Sequence, residues 1–118
     1  GSPGTGAVNY AAFGAISWLT TTAETTVSGP PSWVFSNLLV ELTTAPGVGK
    51  SWTFDLYKSG AGSSSTVTIQ NTGTSGSDNG HTDTFVGGDL ICFRCTPAGT
   101  PTATGTVTLG GATGSLTE

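Results

Sequence analysis

The sequence is short of charge, and it contains no methionine and no long apolar run. Charged residues make up 8% of its 118 residues, against about 25% in an average soluble protein. No apolar stretch reaches the roughly 18 residues of a membrane-spanning helix, and no basic start precedes an apolar stretch as in a signal peptide. We therefore predict no transmembrane segment, and no leader pattern is present among these residues, as in a chain from which a native leader has already been removed. Because the chain begins Gly1-Ser2, we interpret residues 1–6 as tag-derived or flexible.

Basic residues are the scarcest charged class, with Lys50, Lys58 and Arg94 spread along the chain. Seven acidic residues against these three bases give a formal net charge of −4. Nucleic-acid binding needs several phosphate contacts from lysine or arginine, and anionic membrane surfaces attract basic clusters. The sequence therefore predicts neither nucleic acid nor membrane as a partner.

Glycine, serine and threonine dominate what is present, with 19 Gly, 13 Ser and 23 Thr. Hydrophobic residues still reach 35%, and the net charge is low, so the composition differs from that of disordered chains. The length suits one domain with one hydrophobic core. We therefore predict a single folded domain over residues 1–118.

Alternation of apolar and polar residues predicts strands, and no long window shows the apolar stripe of a helix. The clearest run, at 52–57, places Trp52, Phe54 and Leu56 on one face. The other predicted strands are 15–21, 25–27, 38–43, 66–69, 82–86, 90–96 and 102–109. About eight short strands indicate an all-β fold, an antiparallel β-sandwich of jelly-roll-like type.

The segments between these runs predict the connections. The turn-rich stretch 45–49 predicts that the runs at 38–43 and 52–57 form an antiparallel hairpin. Residues 59–63 predict a flexible connection, and the polar, glycine-rich residues 72–80 predict a loop. Residues 110–118 lack apolar content and predict a loose tail or one docked on a neighbour. Alternating threonines at 102–108 predict a solvent or subunit face.

Cys92 and Cys95 are the only cysteines, and they form a Cys-x-x-Cys motif inside a predicted strand. Positions three apart on a strand point to opposite faces, whereas redox motifs of this type begin a helix. A closed zinc site needs four ligands, and the chain offers two cysteines and His81. We therefore predict Cys95 in the core, Cys92 on the opposite face, no metal and no cofactor. A bond between chains through Cys92 is the alternative.

The stretch 78–83, Asp-Asn-Gly-His-Thr-Asp, gathers Asp78, His81 and Asp83. It matches a calcium loop only in part, because Gly80 stands at the third ligand position and the twelfth is not glutamate. His81 has the one side chain with a near-neutral ordinary pKa, but no G-x-S-x-G motif accompanies it. We predict a polar turn without catalytic residues, with a weak cation site as the alternative.

Two further patterns bear on carbohydrate chemistry. Glu41 and Asp55 would face each other across the predicted hairpin, as glycosidase carboxylates flank a sugar, although strand acids more often form a solvent face. Trp33 and Tyr57 have rings that stack on sugars when exposed. The candidate ligand or partner contacts are therefore Trp33, Tyr57, Asp78, His81 and Asp83.

Three stretches carry a resemblance to a known family. They are residues 36–42 (SNLLVEL), 45–54 (APGVGKSWTF) and 88–101 (GDLICFRCTPAGTP). Together they resemble small β-rich domains in structural proteins of tailed bacteriophages, in which turn and core residues coincide in the same order. Lys58-Ser59-Gly60 stands where the family pattern has Lys-Asn-Gly, and both cysteines stand where small or aliphatic residues are usual.

The resemblance implies a virion surface protein with a jelly-roll-like fold, and it brings no catalytic residues. We expect a non-enzymatic bacteriophage structural protein that decorates a capsid or forms a fibre knob as a homotrimer among other virion proteins. Interfaces are depleted in lysine and glutamate, which suits this composition. The alternative is a glycan-binding module, either for receptor recognition by a phage tail or as a carbohydrate-binding domain.

Overall fold

The computed structural model describes residues 6, 8–11, 25–26, 32–86, 88–104 and 107–116. The side chains of 9–11, 25–26, 32–33 and 112–116 lie outside this description. The strands are β1 Asn9–Ala11, β2 Thr25–Thr26, β3 Ser32–Leu42, β4 Gly47–Lys58, β5 Ala61–Asn71, β6 Ser75–Val86, β7 Leu90–Ala98 and β8 Val107–Leu116. Within the described ranges, no helix is long and apolar enough to cross a membrane.

The strands form two antiparallel sheets, which confirms the predicted all-β class. One sheet has the order β1-β7-β4-β5, with β2 also on β7, and the other has the order β6-β3-β8. Six strands are 9 to 12 residues long, three in each sheet, while β1 and β2 have only 3 and 2 residues. The architecture is that of a β-sandwich with fewer long strands than the predicted eight.

The predicted hairpin between the runs at 38–43 and 52–57 is wrong. These runs belong to β3 and β4, which lie in different sheets and pair with other strands. The hairpin is instead β4–β5, closed by Ser59 and Gly60 with φ values of 47° and 85°. Two positive φ values in a two-residue loop are typical of a type I′ turn, whose twist matches that of the strands. The predicted flexible connection at 59–63 is therefore a tight turn followed by β5.

The core lies between the two sheets, and the apolar rows predicted for it are confirmed. Trp52, Phe54 and Leu56 of β4 are completely buried. Val67 and Ile69 of β5 and Cys95 of β7 also belong to this core. Ile91, Phe93, Val107 and Leu109 pack against it while partly buried, as their alternation predicts.

The buried row of β3 changes phase in the middle of the strand. Phe35 is buried, and the next buried residues are Leu38, Val40 and Leu42. Asn37 has a φ of 55°, in the left-handed region that asparagine tolerates better than most residues. A bulge at this position explains why simple alternation recognises only the second half of β3.

The C-terminal prediction is wrong in two respects. The last strand begins at Val107 rather than Thr102, and it continues to Leu116 through most of the predicted loose tail. Gly111 of this strand has a packing role, because a Cβ atom on it would enter the ring of Phe35 on β3. Thr104 lies outside the strand and is buried, so the predicted alternating threonine face does not form there.

Thr104 holds the connection between β3 and β4. Its Oγ1 accepts hydrogen bonds from the backbone N–H groups of Thr43 and Thr44, both at 3.1 Å. The predicted strand 15–21 and Val27 lie outside the described residues, whereas Thr25 and Thr26 form β2.

Candidate functional site

Three candidate residues, Asp78, His81 and Asp83, lie on β6. The predicted loop at 72–80 is therefore wrong from Ser75 onward. Asp78 and Asp83 are buried, whereas the His81 side chain is 55% exposed. A buried carboxylate needs hydrogen-bond partners, and these partners explain how so polar a segment forms a strand.

Asp83 binds the backbone of the edge strand of the opposite sheet. Its two carboxylate oxygens accept the N–H groups of Ser64 and Ser65 on β5, both at 2.9 Å. β5 bulges here, because Ser63, Ser64 and Ser65 together stand opposite Leu56 of β4. The carboxylate thus satisfies two donors of the bulged segment.

Asp78 makes a similar contact with the next residue of β5, Thr66. Its Oδ2 accepts the N–H of Thr66 at 3.0 Å, and its Oδ1 accepts the N–H of Gly80 at 3.0 Å. His81 Nδ1 lies 2.8 Å from Asp78 Oδ2. β6 also bulges here, because Asn79, Gly80 and His81 stand opposite Asn37 alone.

Together these contacts form what we call the β5–β6 seam, defined by Ser64, Ser65, Thr66, Asp78 and Asp83. β5 and β6 are end strands of their respective sheets, so the seam closes one side of the sandwich through side chains. Edge strands present unpaired N–H groups that must be covered or satisfied. The seam satisfies three such groups of β5 with two carboxylates.

The carboxylates of the seam are held in their charged form. The N–H of Thr66 lowers the pKa of Asp78 most, and His81 and Gly80 lower this pKa further against the effect of burial. Burial raises the pKa of Asp83, but hydrogen bonds from the serines of β5 outweigh burial and hold that pKa below its ordinary value. Both groups are therefore poor proton carriers near neutral pH.

Tyr57 lies away from the seam, on the outward face of the larger sheet. The Arg94 guanidinium stands 5.0 Å from the centre of its ring. Arg94 also donates to both oxygens of Asp55, from Nε at 2.9 Å and from Nη2 at 2.5 Å. This bidentate pair joins β4 to β7 at directly opposite positions.

Two further predictions about carbohydrate chemistry concerned Glu41 and Trp33. Glu41 lies on β3, in the other sheet from Asp55, so the two acids do not face each other across a hairpin. Trp33 lies on β3 opposite Phe85 and Ser115, but its side chain is outside the described residues. The structure brings Asp78, His81 and Asp83 together and leaves Tyr57 with Arg94.

The cysteines lie on opposite faces of β7, as predicted. Cys95 stands opposite Phe54 in the core, and Cys92 stands opposite Tyr57. Both are buried, and no disulfide joins them. Burial, together with the charge of Asp55, raises the pKa of the Cys95 thiol far above its ordinary value. Cys95 is therefore a structural residue without thiolate character.

Sequence reasoning missed the residues that hold these contacts in place. Arg94 and Thr104 make their contacts with residues 39 and 61 positions away in the chain. No local signal marks such pairs. The one usable sign was the rarity of charge, since an isolated arginine in an apolar strand usually has a carboxylate partner.

Within the described part of the chain, no three histidine, cysteine or acidic side chains cluster as metal ligands. Comparisons with protein-family models, curated proteins and solved structures found no match for this chain.

Proposed function

We propose that this chain is a non-enzymatic structural protein of a bacteriophage virion, which decorates a capsid or forms a fibre knob as a homotrimer. The proposal rests on the resemblance of residues 36–101 to virion domains and on the path of the chain. The chain changes sheet at every connection from β2 to β8 except the β4–β5 hairpin. Such crossing is typical of jelly rolls, which occur in capsid and lectin domains.

The hydrogen bonds and the ion pair that the acidic side chains form support a structural role. Asp55 pairs with Arg94, while Asp78 and Asp83 accept backbone N–H groups of the seam. A general acid or base needs a free site for a reacting proton and a pKa near the working pH. These carboxylates work instead as ties between strands and between sheets.

The outer face of the three-stranded sheet is the surface that we propose for packing between subunits. Leu39 is 42% exposed on this face. Ser77 and Gly110 stand opposite it on β6 and β8. Along the same row of β3, Glu41 faces Ser75 and Thr108. A surface of small uncharged residues around an exposed leucine, with one carboxylate, suits burial against another subunit.

The native mass in solution tests this function. Light scattering on a sizing column, with and without reductant, is expected to give three chain masses in both conditions. A monomer at high concentration would contradict the packing role. A dimer that dissociates in reductant would indicate an interchain bond through Cys92 instead.

A glycan-binding module is the second candidate, favoured by the group around Tyr57. An aromatic ring beside a carboxylate and a guanidinium combines the stacking and hydrogen-bonding groups that sugars use. Screening the protein on a broad glycan array tests this candidate, with Tyr57→Ala as the variant and Trp33→Ala for the second aromatic residue. Binding that either variant abolishes would support it, and the absence of any binding would exclude it.

A further inference from the structure

The β6 bulge contains the chain's one Asn-Gly dipeptide, Asn79-Gly80. Both residues are exposed. On β3, Leu38 pairs with Asp78 and Ser36 pairs with Thr82, so the three residues between them have no register partner except Asn37. The peptide group between Asn79 and Gly80 is thereby removed from the regular ladder of the sheet.

The surroundings of Gly80 leave room for a reaction at its backbone nitrogen. A Cβ atom at Gly80 would meet only Asp78 Oδ1, at 3.8 Å. The N–H of Gly80 donates to that same oxygen at 3.0 Å.

We propose that Asn79 is a site of spontaneous deamidation in the folded protein. The Gly80 nitrogen attacks the Asn79 side-chain carbonyl carbon, its proton leaves, and ammonia departs as the carbon–nitrogen bond of the amide breaks. The cyclic succinimide then takes up one water molecule, which opens it to aspartate or isoaspartate. The balance is one water consumed and one ammonia released, with no further reactant.

Two other described asparagines provide an internal comparison. Asn71 is also exposed, but its Oδ1 accepts the N–H of Gly49 at 2.9 Å, and Thr72 follows it. Asn37 is exposed and is followed by Leu38, whose side chain is buried in the core. A bulky following residue hinders closure of the five-membered ring, so Asn79 reacts first.

Deamidation of Asn79 would alter the neighbouring β5–β6 seam. The product places a second carboxylate next to Asp78 in the chain. The Asp78 carboxylate already accepts the N–H groups of Thr66 and Gly80. Isoaspartate also adds one atom to the backbone within the bulge. Both changes act against the hydrogen bond between Asp78 and β5, through like-charge repulsion and through displacement.

Timed incubation of the intact chain at neutral and mildly alkaline pH tests the proposal, with peptide mass mapping and isoaspartate detection. The product is expected at Asn79 before Asn71 or Asn37, and Gly80→Ala is expected to lose most of it. Gly80→Ala leaves the fold unstrained, because its φ is not in the left-handed region and its Cβ has space.

Three results would overturn the proposal. They are reaction at Asn71 or Asn37 before Asn79, equal rates in Gly80→Ala and the parent chain, and reaction at Asn79 only after unfolding in urea. The unfolded sample serves as the reference for the last result, since it removes the bulge but keeps the Asn-Gly sequence.

Discussion

At the scale of single residues, specific polar contacts determine where this low-charge chain tolerates change. Asp55 and Arg94 stand opposite each other on β4 and β7, and Gly62 on β5 packs closely against both side chains. Alternation along 52–57 predicted correctly that Asp55 lies on the face opposite Phe54, but the expected solvent exposure was wrong, because Asp55 is buried. Alternation could not predict Arg94 as the partner, because strand order is not contained in alternation.

Gly62→Ala tests how tightly this pair is packed. A Cβ atom at Gly62 would lie 2.6 Å from Arg94 Nη2 and 3.1 Å from Asp55 Oδ2. Arg94 can move aside only by giving up its bidentate contact, so we expect the free energy of unfolding to fall by about 1–2 kcal/mol. Urea unfolding measures this change. Gly80→Ala is the matched control, because its Cβ atom would meet only Asp78 Oδ1, at an ordinary contact distance of 3.8 Å. Equal stability of the two variants would refute the packing account.

Asp83→Asn tests the double acceptor role of Asp83. An asparagine has one acceptor oxygen, so one of the N–H groups of Ser64 and Ser65 loses its partner. We expect a loss of about 1–3 kcal/mol in the free energy of unfolding. Asp89→Asn is the matched control, because its carboxylate accepts one backbone N–H, that of Val86, which an amide oxygen accepts equally, so the loss of stability is expected to be smaller. A variant as stable as this control would mean that the seam does not depend on Asp83.

At the scale of elements, the strands rich in apolar residues were predictable and the polar ones were not. The run at 52–57 lies within β4, and the residues predicted to be buried there are buried. Residues 61–63 and 75–80 contain mostly serine, glycine and other polar residues, so they were predicted as parts of connections. They form strands because Asp78 and Asp83 supply acceptors from 12 to 19 residues away.

The seam makes stability depend on pH in a direction that follows from the pKa shifts. Asp78 and Asp83 both have a pKa below the ordinary value of 3.8 in the folded state. Their contribution is therefore fully present above that value and is lost as the pH falls through their lowered pKa. We expect the hydrogen-exchange protection factors of Ser64, Ser65 and Thr66 to fall in acid before those of the β4 core do.

Asp83→Asn provides the control for this acid response, because it removes one of the two titrating groups. The variant should show a weaker dependence of unfolding free energy on pH below the ordinary aspartate pKa. A uniform fall in the protection factors across β4 and β5 would show that acid acts on the whole fold rather than on the seam.

At the scale of the whole molecule, composition and alternation were sufficient to predict the all-β fold class. They were not sufficient to predict how the strands are connected and paired. Turn residues at 45–49 mark a reversal, and a reversal between sheets has the same composition as one within a sheet. Val67, Ile69 and Cys95 were assigned to the core correctly, since that requires only the face of each strand. The seam of the candidate site could not be predicted, since it depends on which strands end each sheet.

The native mass of two matched variants tests the central claim of packing between subunits most directly. Leu39→Lys places a charge on the outer face of the three-stranded sheet, whereas Val48→Lys places one near the start of β4, at a position that is 82% exposed. Light scattering over a range of concentrations is expected to give a trimer for the parent chain and Val48→Lys, and a monomer for Leu39→Lys. A trimer that persists in Leu39→Lys, or a monomeric parent chain, would contradict the account.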